Sequence, residues 1–151
     1  MRYWDASALV PLFLAEATTE AMRTLLRDDQ DVHSWWGSRV ECISSITRLV
    51  REERLNPRME ERARAAQAAL FVGMREIEPT EDVRLRAERC LSLHPLRAAD
   101  ALQLAAALIW ARDRPAGTAF VSLDGRLRLA ASREGFTVLP TAPNASSLAT
   151  G

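Results

Sequence analysis

The sequence predicts an α/β protein in which helices cover both faces of a parallel sheet. Short strand-like segments alternate with longer helical segments along the chain, and this order is typical of parallel sheets. The 151 residues fit a single domain, and their 48% hydrophobic content is sufficient for a core. No run of about 18 apolar residues occurs, so the sequence excludes a membrane-spanning helix.

The first half of the chain contains two predicted strands and four predicted helices. The strand patterns cover residues 2–5 and 31–34. The helical patterns cover residues 7–14, 18–28, 38–54 and 57–71. The helix at 38–54 is predicted from one apolar face, formed by Val40, Ile43, Ile46, Leu49 and Val50. Pro57 occupies a favourable first position in the helix that it opens.

The second half continues the alternation. Strands are predicted at residues 74–78, 118–123 and 136–139. Helices are predicted at residues 80–93, 97–112 and 125–133. Thr80 is a suitable cap for the first of these helices, and the helix at 97–112 is the most apolar in the chain.

One domain is expected at residues 1–141, followed by a flexible tail at 142–151 that contains Pro, Asn, Ser, Thr and Gly. The first residues contain no secretory signal, so a cytoplasmic protein is expected. Cys42 and Cys90 share no metal-ligand spacing, and both are expected to be buried free thiols. The 20 acidic and 20 basic residues balance, so net charge does not indicate a nucleic-acid partner.

Two acids stand where predicted strands end. Asp5 ends the first strand, and Asp124 follows the strand at 118–123. Active sites of parallel sheets gather at the carboxyl ends of the strands, so the two carboxylates share one crevice if these strands are neighbours. Either acid alone is equally well explained as the cap of the helix that follows it.

A third acid, Asp100, lies in a helix that is apolar on nearly every side. Such a helix is expected to be buried, and a buried carboxylate needs a cation or several hydrogen-bond donors. The pattern therefore favours a site role. The alternative is an ion pair with Arg97, three residues earlier.

Glu41 is not selected by the residue pattern alone. It shares its side of the helix at 38–54 with Ser45 and Arg48, and the apolar residues lie opposite. That arrangement is typical of a solvated helix face.

Carboxylates without a catalytic histidine, cysteine or serine point to metal chemistry. Sites made only of oxygen ligands favour Mg²⁺ or Mn²⁺. Such ions generate hydroxide and stabilise the leaving oxygen of a phosphodiester. Crowded negative charges also predict a raised pKa for at least one of the carboxyl groups when no metal is bound.

Histidine and tryptophan residues have simpler explanations than a site. His33 and His94 are isolated and lack the spacing of metal ligands. Trp35 and Trp36 are suited to stacking on bases, but packing at a strand-to-helix junction is the favoured interpretation.

Four segments, spread over residues 1 to about 140, carry these acids in a recurring context. They are YWDASALV with Asp5 and Ser7, VEC with Glu41 followed by Arg48, LRAADALQLA with Arg97 and Asp100, and FVSLD ending in Asp124. In this order and spacing they resemble the motifs of the PIN-domain family, and within it the VapC-type toxins of bacterial toxin–antitoxin pairs.

The resemblance implies a five-stranded parallel sheet between helices and cleavage of single-stranded RNA that depends on Mg²⁺ or Mn²⁺. It also implies a homodimer and inhibition by a partner antitoxin. The catalytic and metal-binding residues are then Asp5, Glu41, Asp100 and Asp124. Further support for acids or phosphate is expected from Ser7, Ser122, Arg48 and Arg97. Gln103 departs from the pattern, since many relatives have histidine there, but it does not replace an acid.

Four other functions fit parts of the pattern. A phosphatase using Asp5 as nucleophile often needs a second aspartate two residues later, and Ser7 stands there. A phosphoacceptor needs a nearby lysine, and the sequence has none. A housekeeping RNA-processing nuclease of the PIN type, or a non-catalytic module that binds RNA or protein, remains open, although four acids argue against the non-catalytic module.

Overall fold

The computed structural model describes residues 1–141, and within them the predicted α/β architecture is confirmed. The strands are β1 (Arg2–Trp4), β2 (Val32–Trp35), β3 (Arg75–Ile77), β4 (Ala119–Val121) and β5 (Thr137–Leu139). The helices are α1 (Ala6–Leu9), α2 (Thr19–Arg27), α3 (Ser38–Arg51), α4 (Pro57–Val72), α5 (Glu81–Leu93), α6 (Ala98–Trp110) and α7 (Gly125–Glu134). The flexible tail predicted at 142–151 lies outside the described residues.

The five strands form one sheet in the order β3-β2-β1-β4-β5, and every neighbouring pair is parallel. The chain moves outward from β1 through β2 to β3, then returns to the other side of β1 and moves outward again through β4 to β5. The strand order therefore reverses between β1 and β4, where Tyr3 pairs with Phe120. In open parallel sheets, ligands bind beside such a reversal, at the carboxyl ends of the strands.

Side chains that alternate along the strands supply two separate cores, one on each face of the sheet. Tyr3 and Phe120 pack with α5, α6 and α7 on one face. Trp4 and Val121 pack with α1, α2, α3 and α4 on the other. Within residues 1–141, no helix combines the length and the apolar character needed to cross a membrane.

Side chains and a glycine at the helix ends explain where three of the helices begin or end. The Asn56 side chain accepts a hydrogen bond from the Met59 backbone N–H, and Pro57 begins α4 as predicted. Thr80 accepts from the backbone N–H of Val83 and caps α5, also as predicted. At the end of α7, Gly135 takes a left-handed φ of 105°, a conformation that glycine adopts without steric cost.

The segment predicted to be helical at 7–14 is helical from residue 6 to residue 12, but in two parts. The α-helix ends at Leu9, and a 3₁₀ turn, Val10–Leu12, follows it. Pro11 explains the change, since proline has no backbone N–H to donate and its ring clashes with the carbonyl one helical turn earlier.

The apolar face predicted for α3 is wrong in part. Val40, which was expected to face the core, is 68% exposed. The fully buried residues of this helix are Ser38, Cys42 and Ile46, one turn apart from each other. The helix is therefore rotated relative to the prediction, and Glu41 moves towards the sheet edge.

Candidate active site

Asp5 lies at the strand reversal and is almost completely buried, with 3% of its surface exposed. Its backbone N–H donates to the Val121 carbonyl of β4 at 3.0 Å, which fixes the residue between the two central strands. Its Oδ1 accepts a hydrogen bond of 2.8 Å from the Ser7 hydroxyl. Asp5 is also the N-cap residue of α1: its backbone carbonyl accepts from the N–H groups of Ala8 and Leu9, although its side chain makes no capping hydrogen bond.

The Asp5 carboxyl group is hard to ionise in the metal-free protein. Burial raises its pKa from 3.8 to about 7, and the negative charge of Glu41 contributes in the same direction. Hydrogen bonds from Ser7 and Ser122 partly offset this rise. Within residues 1–141, Asp5 forms no ion pair with any arginine or histidine. A buried carboxyl group without a cationic partner is a favourable ligand for a bound cation.

Two serine hydroxyls join the ends of β1 and β4. The Ser7 hydroxyl accepts from the Leu123 backbone N–H at 2.8 Å and lies 3.4 Å from the Ser122 hydroxyl. The Ser122 hydroxyl accepts from the Asp124 backbone N–H at 3.1 Å. Both serines singled out in the sequence therefore lie beside the acids that they were expected to support.

Asp124 has the capping role that its position allows. Its Oδ1 accepts from the Leu127 backbone N–H at 2.8 Å and so begins α7. Arg128 steadies the same segment by donating to the carbonyls of Ser122 and Pro140, both at 2.7 Å. One oxygen of Asp124 is thus engaged by the helix, and Oδ2 remains for a ligand.

Asp100 lies in the first turn of α6 and is half-buried. The expectation of a fully buried carboxylate is wrong, because the apolar contacts of α6 begin only at Ala101. Burial is the largest cause that raises the pKa of Asp100, and the charge of Asp124 adds to it. The backbone and guanidinium of Arg97, and then the guanidinium of Arg126, lower it. Within residues 1–141, Asp100 forms no salt bridge with Arg97, so the proposed ion pair is absent.

Glu41 does not lie on a freely solvated face. It is half-buried on α3, and its Oε1 accepts a hydrogen bond of 2.9 Å from the Gln103 side chain of α6. Burial raises the pKa of Glu41, the Gln103 hydrogen bond opposes that rise, and the charge of Asp100 adds to it. Glu41, the one acid that the residue pattern did not select, therefore lies at the candidate site.

A buried polar network that the sequence analysis missed surrounds Glu41. Gln103 donates to Ser38 at 2.8 Å and accepts from the Tyr3 hydroxyl at 2.7 Å. Burial, with the charges of Asp5 and Glu41, raises the pKa of Tyr3, so its hydroxyl keeps its proton and acts as a donor. The available signal was an amide inside the most apolar helix of the chain, where a polar side chain needs partners.

The four acids form a coupled row. The negative charge of Glu41 raises the pKa of Asp5, and the charge of Asp100 raises the pKa of Glu41. The charge of Asp124 in turn raises the pKa of Asp100. The prediction of raised pKa values is confirmed, although burial is a larger cause than repulsion between the acids. Among the described residues, no three acidic, histidine or cysteine side chains already form a group that could hold a metal ion.

The two ends of this row have different surroundings. Asp100 and Asp124 share a groove with the exposed arginines Arg97 and Arg126. Glu41 lies in a groove with apolar and hydroxyl side chains, which are Ala6, Ser7, Val10, Val40, Ser44 and Ser45. Arg126 is a basic residue of the site that the sequence analysis missed.

Arg48 does not join the site as expected. It is exposed, nearly two turns after Glu41 on α3. Within residues 1–141, its guanidinium forms no salt bridge with any of the four acids.

The remaining residue types agree largely with their simpler explanations. Cys42 and Cys90 are buried free thiols, as predicted. His94 pairs with Glu134 at 2.6 Å, away from the four acids. Trp35 is buried at the end of β2 as expected, and Trp36, although 50% exposed, packs edge-on against it with the ring centroids 6.4 Å apart.

Comparison with known protein families and with curated proteins found no match to this chain. The site must therefore be interpreted from its own chemistry. All of its candidate ligands are carboxylate oxygens, and that donor set fits Mg²⁺ or Mn²⁺ better than a softer metal.

Proposed function

We propose that this chain is a metal-dependent endoribonuclease of the PIN-domain type. The observation that carries the proposal is a buried carboxyl group, Asp5, at the reversal point of a parallel sheet, in a row with Glu41, Asp100 and Asp124. The acids come from four separate segments, and Asp5 is buried without a cationic partner within residues 1–141. Such an arrangement costs stability in the metal-free protein, and a bound divalent cation offsets that cost.

The donor set fits Mg²⁺ or Mn²⁺ even though the acids do not form a closed ligand group. Magnesium in nucleic-acid enzymes is held by one or two carboxylates, with waters and substrate phosphate completing its shell. We assign Asp5, Asp100 and Asp124 as the residues that hold the metal, with Glu41 completing the shell or orienting water. When bound, the ion supplies positive charge to the phosphate and activates water for attack.

The chain's own side chains prepare this site. Ser7 donates to Asp5 at 2.8 Å, and Gln103 donates to Glu41 at 2.9 Å. Arg97 and Arg126 supply positive charge beside Asp100 and Asp124, where they suit the non-bridging oxygens of a phosphate. A strand of RNA would then lie along the row, with its phosphates on the arginine side.

Activity on RNA is the direct test. We expect the purified protein to cut single-stranded RNA with Mg²⁺ or Mn²⁺ and to stop in EDTA. Asp5→Asn should lower the rate by several orders of magnitude, because it removes a charge that holds the ion. Asp28→Asn is the matched control, since Asp28 is exposed at the end of α2 and lies outside the row. Equal activity of the Asp5→Asn and Asp28→Asn proteins would exclude the proposed site.

The toxin role and the homodimer are further parts of the proposal and rest on the resemblance to VapC-type toxins, and a cytoplasmic location is proposed with them. An acidic row whose Asp5 has no cationic partner within residues 1–141 suits an inhibitor that inserts an arginine. Expression of the chain alone should slow growth, and co-expression of an adjacent small gene should relieve it. Harmless expression of active enzyme would instead favour the housekeeping nuclease.

A further inference from the structure

The buried amide of Gln103 contacts three other groups of the site. Gln103 is 1% exposed and lies between α6, α3 and β1. Its carbonyl oxygen accepts from the Tyr3 hydroxyl at 2.7 Å. Its amide nitrogen donates to the Ser38 hydroxyl at 2.8 Å and to Oε1 of Glu41 at 2.9 Å. Both hydrogens of the amide nitrogen and its carbonyl oxygen are therefore engaged.

These partners permit only one orientation of the amide. A flipped amide would place its carbonyl oxygen against the Glu41 carboxylate, and two acceptors repel each other. The same flip would turn the NH₂ group towards Tyr3 and leave the Tyr3 hydroxyl without its acceptor. The Tyr3 hydroxyl thus selects the orientation in which Gln103 presents an N–H to Glu41.

We propose that Gln103 is a positioning residue that fixes Oε1 of Glu41 and leaves Oε2 for the metal or for the attacking water. This inference rests on the proposed nuclease function. Within residues 1–141, Oε2 of Glu41 has no hydrogen-bond partner, whereas Oε1 is held from the buried side. Side chains that orient metal ligands in this way commonly change metal affinity or activity by about 10- to 100-fold when they are replaced.

Two substitutions at position 103 test this role. Gln103→Leu keeps a similar volume and removes every hydrogen bond, and Gln103→His restores one N–H donor beside Glu41. We expect Gln103→Leu to lower Mn²⁺ affinity or kcat on RNA by about 10- to 100-fold, with little change in KM. Gln103→His should recover most of that loss. Mn²⁺ affinity is measured by the electron paramagnetic resonance signal of free Mn²⁺, which does not depend on turnover.

A matched control separates positioning from stability. The Ser34 hydroxyl belongs to the same buried network, with bonds of 2.7 Å to the Trp4 carbonyl and 2.8 Å to Ser38, but it does not contact Glu41. Ser34→Ala should lower the melting temperature while leaving Mn²⁺ affinity and kcat unchanged. If Gln103→Leu fails to fold, Tyr3→Phe replaces it, since it removes only the hydroxyl that orients the amide. Tyr3→Phe should lower Mn²⁺ affinity or kcat in the same direction by a smaller factor.

The outcomes distinguish this inference from the proposed function. A folded Gln103→Leu protein, or its Tyr3→Phe replacement, with the Mn²⁺ affinity and kcat of the parent would overturn the positioning role and leave the nuclease intact. A loss of kcat in Gln103→Leu that Gln103→His does not recover would also overturn it. A parent protein that neither binds Mn²⁺ nor cuts RNA would overturn both.

Discussion

At the scale of single residues, Asp5 makes the stability of the metal-free protein depend on pH. Its pKa is about 7 in the folded protein, against 3.8 for an ordinary aspartate. The folded state therefore holds the proton more tightly than the unfolded state does. The resulting stability is fully present below about pH 4 and is lost as pH rises to about 7, by on the order of 4 kcal/mol at most.

We therefore expect the free energy of unfolding in EDTA to fall between about pH 4 and about pH 7, as measured by urea denaturation. Glu41 and Asp100 act with the same sign, because burial raises their pKa values as well. Asp5→Asn should remove the larger part of the pH dependence, since asparagine does not titrate. If the free energy of unfolding of that variant depends on pH as strongly as that of the parent, the buried Asp5 carboxyl group is not the source of the pH dependence.

A second residue-scale prediction concerns Arg126, which is exposed in the groove of Asp100 and Asp124. A phosphate contact contributes to RNA affinity through the release of a counterion. In the Asp5→Asn background, which prevents cleavage, Arg126→Ala should weaken RNA binding. The slope of log affinity against log salt should become shallower by about 0.7 for a single strand.

Fluorescence anisotropy of a labelled RNA at several salt concentrations measures this slope. Arg133→Ala is the matched control, because Arg133 is an exposed arginine at the other end of the same helix. An equal change in slope for the two variants would indicate general charge attraction and no phosphate contact at Arg126.

The sequence predicted single residues well where the backbone alone decides their position. Asp5 and Asp124 follow strands, and parallel strands bring their carboxyl ends to one edge of the sheet, so the placement of both residues on that edge followed from the strand pattern. The position of Glu41 depends instead on the rotation of α3 about its axis. In the structure Ser38 is buried and Val40 is exposed, the opposite of what the apolar pattern predicts. Gln103 could not be assigned because its three partners are distant in sequence.

At the scale of elements, a close contact between Trp35 and Gly37 determines where α3 begins. A Cβ atom at Gly37 would lie 2.4 Å from Nε1 of Trp35, and Trp35 is buried and cannot move freely. Gly37→Ala should therefore displace either the indole or the start of α3, at a cost of about 1–3 kcal/mol. Since α3 carries Glu41, the nuclease rate should fall with it.

Urea denaturation of Gly37→Ala measures this cost. Gly73→Ala is the control, because nothing lies within 4 Å of a Cβ at Gly73 and its φ is −91°. That substitution should be close to neutral or slightly stabilising. If the two alanine variants are equally stable, the contact with Trp35 does not restrict α3.

Helices were predicted most accurately where a cap marks an end. Thr80 marked the start of α5, because its side chain accepts a hydrogen bond from a backbone N–H that has no partner within the helix. Pro57 marked the start of α4, because its missing N–H would have had no partner at that position. The interruption after Leu9 was missed although Pro11 was visible, since apolar residues continue on both sides of it.

At the scale of the whole molecule, binding of a divalent cation should stabilise the fold. At a free metal concentration about 100 times the dissociation constant, the gain is about 2.7 kcal/mol. For a domain of this size, that gain raises the melting temperature by on the order of several degrees. The physical reason is that the cation offsets the cost of burying Asp5 beside the other acids.

Asp100→Asn separates this effect from general stability. In EDTA the variant should melt no lower than the parent, because one repulsive charge has been removed beside Asp124. With Mn²⁺ it should gain little. Melting curves of both proteins, with and without Mn²⁺ at one pH, are the measurement, and a full metal-dependent shift in the variant would exclude Asp100 from the site.

The parallel sheet and its cover of helices could be predicted because alternating strands and helices allow few other architectures. The strand order could not be predicted from the residue pattern, since nothing local specifies that β4 returns to β1 and not to β3. Burial of individual acids was likewise undetermined: Asp100 was expected to be buried and is half-buried, whereas Asp5 is almost completely buried.

The return of β4 to β1 has a consequence for synthesis of the protein. The hydrogen bond between Leu123 and Ser7 closes a separation of 116 residues along the chain. Contacts of such long sequence separation form late and slowly in folding. Closing the chain between the two residues costs conformational entropy before the contact itself stabilises the fold. On a ribosome, Asp5 emerges well before the segment that carries Ser122 and Asp124, so the edge of the sheet that holds the acids is incomplete until that segment follows. The proposed nuclease would thus remain inactive beside the messenger that encodes it until the segment with Asp124 has been made.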